Sequence, residues 1–222
     1  DSGKLCVMHK KLLPKVKQQA QDRSELAVQN ILEAADAVFD EHDPTNLNAR
    51  KLASKAGYSV GTLYYYLGKA EDAFILMIIK RREKHFTKLA ELIDQFPADQ
   101  PLRELLNAMV DSSFAEYNRM NHRSFFLVIR MILKFAKNPL PFDDALSALV
   151  PPLLAAQRRD TTGSFRQTDA DELLMLLKTC LAMLHRPFLE QSPIAGSDRH
   201  RALSLDTMER LLGNPVFSSK QV

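Results

Sequence analysis

The chain reads as an all-α protein on three observations. Apolar residues recur at helical spacing through most of its length. No run of Val, Ile and Thr alternates at the period of a strand, and glycine occurs only seven times. Clusters of Pro, Asn, Asp, Gly and Ser separate the periodic segments, as connectors between helices do.

Taken in order, the first 23 residues carry Lys4, Lys10, Lys11, Lys15, Lys17 and Arg23 against Asp1 and Asp22. Such a basic arm suits phosphates or a minor groove, and equally a mobile solvated tail. Ala27, Ile31, Ala34, Ala35 and Val38, with Phe39 beside them, then form one apolar helical face opposite Glu33, Asp36 and Asp40. Asp43-Pro44 stops this helix, because proline disfavours helical geometry in the residue before it. Two short helices are expected at 47–56 and 60–67, followed by a long one from Lys69 to Asp94 that ends before Pro97. Further helices are expected at 101–119, 122–137, 142–158, 169–190 and 198–212. Their connectors include Asn138-Pro139-Leu140-Pro141, Thr161-Thr162-Gly163-Ser164 and the stretch from Gln191 to Ser197.

Composition bounds the function. The chain has 222 residues, 45% apolar and 26% charged, enough to fill a real core under a soluble surface. No apolar run approaches the roughly 18 residues of a membrane span, and residues 1–23 lack the apolar centre of a secretory signal. A cytoplasmic protein is expected, with no membrane partner. Cys6 and Cys180 lie far apart with no CxxC pair and no clustered histidines, which disfavours a disulfide framework or zinc site. Cys180, in an apolar segment, reads as core filler. A net charge of +3 permits a polyanionic partner without demanding one.

The informative segment is 46–67. Asn46 is placed to cap the first short helix, whose inner face is Leu52, Ala53 and Ala56. Ala53 is small enough for a second helix to cross closely. Gly57 stands where the first helix must end and takes the left-handed conformation at little cost. Ser59 caps the second helix, with Val60 and Leu63 turned inward. This order of small residue, glycine and apolar positions describes a helix-turn-helix. The second helix exposes Thr62 and some of Tyr64, Tyr65 and Tyr66, because three consecutive tyrosines cannot share one core-facing side. Gly61 leaves room for close backbone approach. Hydroxyls at a helix N-terminus can donate to phosphate, and a threonine methyl or tyrosine ring can meet a thymine methyl. Arg and Lys are absent from 59–67, so base selection would lean on shape and apolar contact. The plainer alternative is a helical hairpin buried in a core.

Residues 24–74 resemble the DNA-binding domain of the tetracycline-repressor (TetR) family. The likeness rests on Ile31, Ala34-Ala35 and Phe39, on Leu52-Ala53 and Ala56-Gly57, and above all on Ser59-Val-Gly-Thr-Leu-Tyr-Tyr-Tyr66 with Glu71 after it. By that resemblance Thr62, Tyr64 and Tyr65 touch DNA, Tyr64 and Tyr66 chiefly on phosphates, and Val60 and Gly61 lie near base edges. Asn48, Ser59 and Lys69 complete the candidate DNA-contacting set. The chain departs from the family at Leu67, where phenylalanine is usual. It departs again at Ala70, where the family has a phosphate-binding lysine that Lys69 would replace. Asp43-Pro44 stands near a loop where the family often has glycine.

The resemblance also implies three domains: a basic arm at 1–23, the helix-turn-helix domain at 24–70, and a helical effector-binding and dimerisation domain at 71–222. It implies a homodimer paired through the last two long helices. The residues allow this independently, since Leu173, Leu174, Leu176, Leu177, Leu181, Met183, Leu184 and Phe188 spread wider than one stripe. Leu203, Leu205, Met208, Leu211 and Leu212 add a second apolar surface. A monomeric core could absorb them too. An effector pocket for a mainly apolar small molecule is expected around Met109, Phe114, Tyr117, Phe125, Phe126, Ile129, Arg130 and Phe135, where ordinary core is the alternative. Arg130 would meet an anionic ligand or pair with Glu116, and His122 and His185 read as hydrogen-bonded structural histidines.

The function expected is a ligand-responsive regulator, by family default a repressor, that binds a pseudo-palindromic operator in double-stranded DNA and needs no cofactor. An accessory or architectural DNA-bound protein is the rival. An enzyme is not expected: Asp143-Asp144 has no second acidic pair, and no nucleophile elbow, phosphate loop or HExxH is present.

Overall fold

The computed structural model describes residues 21–41, 48–119 and 145–215. Among them lie eight helices: α1 (Gln21–Glu41), α2 (Ala49–Ala56), α3 (Val60–Leu67), α4 (Ala70–Asp94), α5 (Leu102–Arg119), α6 (Val150–Arg159), α7 (Ala170–Leu189) and α8 (Asp198–Leu212). Extended pairing among these residues is limited to one antiparallel bridge between Phe165 and Gly213. Among the described residues no helix is long and apolar enough to cross a membrane. The segment expected to be helical at 122–137 lies outside them, as do the arm at 1–20, Cys6 and His122.

The helices fall into two compact units that divide between Arg81 and Arg82, within α4. In the first, α1 packs on both α2 and α3 through Ile31, Ala35, Val38, Leu52, Ala53, Leu63 and Leu67, all buried. The first turns of α4 are buried continuously from Ala73 to Ile79. Polar ties then fix α4 to α1. Lys80 donates to Gln29, and Arg81 donates to the Asp36 carboxylate while lying over the Phe39 ring at 5.3 Å.

In the second unit α8 packs on α5 and α7, and α7 packs on α6. Leu173, Leu177, Cys180, Leu184 and Phe188 make one buried stripe at i, i+4, i+7, i+11 and i+15 of α7. Asp169 caps α7 and Ser197 caps α8, each accepting from a backbone N–H three residues on. The Thr161–Ser164 connector is held from both sides: Asp160 accepts from the N–H groups of Thr162 and Phe165, and Arg159 donates to the carbonyls of Ile93 and Asp94 at the end of α4. Burial pushes the Cys180 thiol up to about 12, the state of an inert core residue.

Two boundaries differ from expectation. The helix expected at 142–158 begins at Val150, after a short helical turn at 145–147, with its prolines at the first positions. Pro151 and Pro152 lack N–H donors and are tolerated only in a first turn. The first short helix starts at Ala49, and its cap is Asn48 rather than Asn46, which lies outside the described residues.

Candidate nucleic-acid interface

The two short helices meet as a tight unit. Asn48 has extended backbone, and its side-chain oxygen accepts from the Lys51 N–H at 3.0 Å. Gly57 ends α2 with φ 74° and ψ 24°, and the Tyr58 N–H returns to the Ala53 carbonyl at 2.9 Å. Leu52 and Ala53 of α2 and Leu63 and Leu67 of α3 are buried, while Ala56 and Val60 are only partly covered. Leu67 thus does the closing work that the family gives to phenylalanine. The Tyr58 hydroxyl accepts from the Asn30 side chain at 3.3 Å, tying the turn to α1.

Ser59 opens α3. Its hydroxyl oxygen accepts from the Thr62 N–H at 3.0 Å and lies 2.8 Å from the Thr62 hydroxyl. One of the two hydroxyl protons is spent between them, which leaves the other to be donated outward. Gly61 is exposed; a β-carbon added there would meet only the Ser59 hydroxyl, at 3.7 Å. Tyr64 and Tyr65 are 47% and 43% exposed, whereas Tyr66 is half-buried and takes the Tyr65 ring edge-on at 5.2 Å. Three exposed hydroxyl or ring surfaces and a bare glycine therefore share one outward side of a short helix. A core hairpin would have hidden the tyrosines. Lys69 is exposed between α3 and α4, after Gly68 has closed α3 with its N–H on the Tyr64 carbonyl at 2.9 Å.

Three basic residues escaped the sequence reading. Arg50, Lys51 and Lys55 are all exposed on α2. Their signal was present as Arg-Lys-x-x-x-Lys on the first helix of the motif. With Lys69 they give the helix pair the positive charge that phosphate contact needs and that 59–67 lacks.

Of the residues expected around an effector, Met109, Phe114 and Tyr117 are buried on α5. Phe125, Phe126, Ile129, Arg130 and Phe135 lie outside the described residues, as does Asp143-Asp144. Around Tyr117 the second unit holds a polar cluster. Its hydroxyl is 2.7 Å from His185 Nε2, and Phe114 and Phe188 pack against its ring at 6.2 and 5.3 Å. His85 Nε2 lies 3.3 Å from the Ser113 hydroxyl. Burial, then the Arg82 charge and His85, lower His185 to about 3, so its imidazole is neutral. Burial also lowers His85, against the opposing pull of Glu116, and raises the Tyr117 hydroxyl. His185 is hydrogen-bonded, as the sequence suggested.

Residues 31–69 match the family model of bacterial regulatory proteins of the tetR family. An uncharacterized HTH-type transcriptional regulator of Mycobacterium tuberculosis is 32% identical over 84 residues, 36% of this chain and 41% of that relative. The match thus spans less than half of the relative's length. Among solved structures, a tetR-family transcriptional regulator from Streptomyces coelicolor aligns at TM-score 0.58 and 14% identity, over 84% of this chain and 79% of that one. A transcriptional regulator from Saccharomonospora viridis in complex with choline aligns at 0.59 and 20%, over 86% and 99%. SmeT, the repressor of the Stenotrophomonas maltophilia multidrug efflux pump SmeDEF, aligns at 0.56 and 21%, over 85% and 91%. At these identities the likeness is one of fold. Residues 31–69 thus resemble the helix-turn-helix of the tetR family of bacterial regulatory proteins, and the described helices share the all-α fold of these regulators.

Proposed function

We propose that the protein is a dimeric repressor that reads a pseudo-palindromic operator through α3 and is released by a small molecule bound in its second unit. The observation that carries the DNA contact is the outward side of α3, with Tyr64 and Tyr65 exposed beside Gly61 and the Ser59–Thr62 hydroxyls. Arg50, Lys51, Lys55 and Lys69 hold phosphates, and Asn48 and Ser59 fix the helices whose N-termini point at the backbone. Val60, Thr62 and the tyrosines then meet the groove. Acting on chromosomal DNA, the protein works in the cytoplasm.

Pairing of two protomers is supported by an apolar surface on α7 and α8 that the described residues leave uncovered. Met175 is 65% exposed and Leu203 49%, with Ala182 and Ala202 exposed on the same helices. Small residues there allow close helix approach, and a four-helix seam between copies would bury them. A two-fold pair sets recognition helices roughly 34–36 Å apart, one duplex turn. Release by an effector is supported by the ligands of its fold relatives, choline in the Saccharomonospora viridis regulator and triclosan in SmeT. The effector works by differential affinity, and a coupling of about 1–3 kcal/mol lowers operator affinity about 5–150-fold.

Selection from a random-sequence duplex library tests the reading. An enriched inverted repeat, bound by two protomers, is the expected result. Failure of folded, dimeric protein to enrich any sequence would overturn operator reading.

A further inference from the structure

The outward face of α7 carries an order that neither DNA contact nor packing within the protomer uses. Opposite the buried stripe that runs from Leu173 to Phe188 stand Asp171, Met175, Thr179, Ala182 and Arg186, all exposed among the described residues. About a centre between Lys178 and Thr179 this row is self-complementary. Ala182 lies as far along the helix on one side as Met175 on the other, and Arg186 as far as Asp171. We propose that a second copy of this chain lies antiparallel on α7 in that register, so that Asp171 meets Arg186 of the partner subunit at both ends of the seam. These two charge contacts decide which chains can pair. The inference rests on the dimer reading above and deepens it.

A two-fold interface turns the helix end for end, so residues equidistant from its centre face one another. Met175, 65% exposed, is then set against the small Ala182. The rows Asp171–Met175–Thr179 and Lys178–Ala182–Arg186 are both i, i+4 ridges, the kind that interlock at the commonest helix crossing angle. Thr179 donates its hydroxyl to the Met175 carbonyl at 3.0 Å and so brings a methyl group, not an unmet donor, to the centre. Lys178 beside it is half-buried and engaged within its own protomer, and its long stem carries the ammonium group to the rim. At the ends, Arg186 takes Glu190 of its own helix at 2.5 Å and keeps further guanidinium donors for a second carboxylate. Other arrangements match charge less well. A slip of one turn sets Asp171 opposite Glu190 in one direction and Met175 opposite Lys178 in the other. Paired end for end about the middle of its own exposed row, α8 would bring Arg199 opposite Arg210. An acid in the first turn and a base in the last also suit the dipole of a single helix, but that benefit needs no partner.

Self-association of the full chain is measured by sedimentation, and copies carrying tags of two lengths are told apart by native mass spectrometry. Asp171→Arg and Arg186→Asp are each expected to weaken the dimer at least about tenfold, since each sets like charges together at both ends. Mixed in equal amounts, the two variants form a heterodimer nearly as tight as wild type, because opposite charges face again. A chain carrying both substitutions pairs with itself and rejects wild type. Where a reversed variant does not fold, Asp171→Asn carries the test: it is expected to weaken the dimer severalfold and to flatten its salt dependence. Single variants as tight as wild type, the neutral one included, would overturn the register. So would weakened variants that mixing does not restore, the result of a lost helix-dipole effect alone. A wild-type chain that is monomeric at micromolar concentration would overturn the dimer reading itself and the register with it.

Discussion

At Gly61 a methyl group would meet only the Ser59 hydroxyl, 3.7 Å away, so the protein's own packing does not demand glycine there. On the proposed reading, the bare glycine serves the DNA surface that α3 approaches. Gly61→Ala is expected to leave the fold intact or stabilise it by about 0.5–1 kcal/mol, because alanine is the better helix former. Operator affinity is expected to fall at least about tenfold, which a melting curve beside a binding isotherm would separate. At His185 the sign of a pH effect follows from the neutral state of the folded imidazole. Its pKa drops from the ordinary value near 6.5 to about 3 in the fold. The unfolded chain therefore binds the extra proton between those values. Stability is complete above about pH 6.5 and declines on acidification toward pH 3, by up to about 1.4 kcal/mol per pH unit for this one group. His185→Gln keeps a partner for Tyr117 without titrating, and denaturant melts from pH 7 to 4 should show a shallower decline.

At the scale of the element, caps and turns explain how much could be read in advance. Ser59, Gly57, Asp169 and Ser197 each act through a local bond to a residue no more than four positions away. Their helices accordingly begin or end within a residue or two of expectation. Ser59→Ala should cost α3 about 1 kcal/mol through the lost Thr62 N–H bond, measurable as a lowered unfolding midpoint. Local signals failed where two competed. The cap expected at Asn46 is Asn48, two residues on, where the backbone turns extended before α2. Apolar spacing at 142–158 masked the instruction of Pro151-Pro152, whose missing donors place a helix start at Val150. Pro187, by contrast, sits inside α7, and His200 of α8 lies 3.4 Å from the Met183 carbonyl that the proline cannot reach with an N–H. The candidate site divides the same way. Tyr64 and Tyr65 were legible because three adjacent tyrosines must point in different directions. The Tyr117–His185 pairing was not, since its two members lie 68 residues apart on separate helices. Arg50, Lys51 and Lys55 were legible as an Arg-Lys-x-x-x-Lys run, whose exposure on α2 the structure adds.

For the whole molecule, the proposed function depends on two copies presenting α3 at one duplex spacing. The α7–α8 surface is where this requirement can be broken without touching either DNA contact or core. Met175→Asp combined with Leu203→Asp places charge on two exposed apolar positions. The expected product is a folded monomer by sedimentation, with normal helix content and operator affinity reduced by more than about tenfold through loss of the second half-site. A pair that stays dimeric would move the seam elsewhere.

The most direct test of the central claim is equilibrium binding of wild type and Tyr64→Ala/Tyr65→Ala to the selected duplex and to a scrambled duplex, across a salt titration. The account predicts that wild type prefers the selected duplex by orders of magnitude and weakens steeply as salt rises. In the double variant that preference collapses toward scrambled affinity, while helix content and dimerisation persist. A double variant that kept the wild-type preference would contradict the assignment of α3 as the reading element.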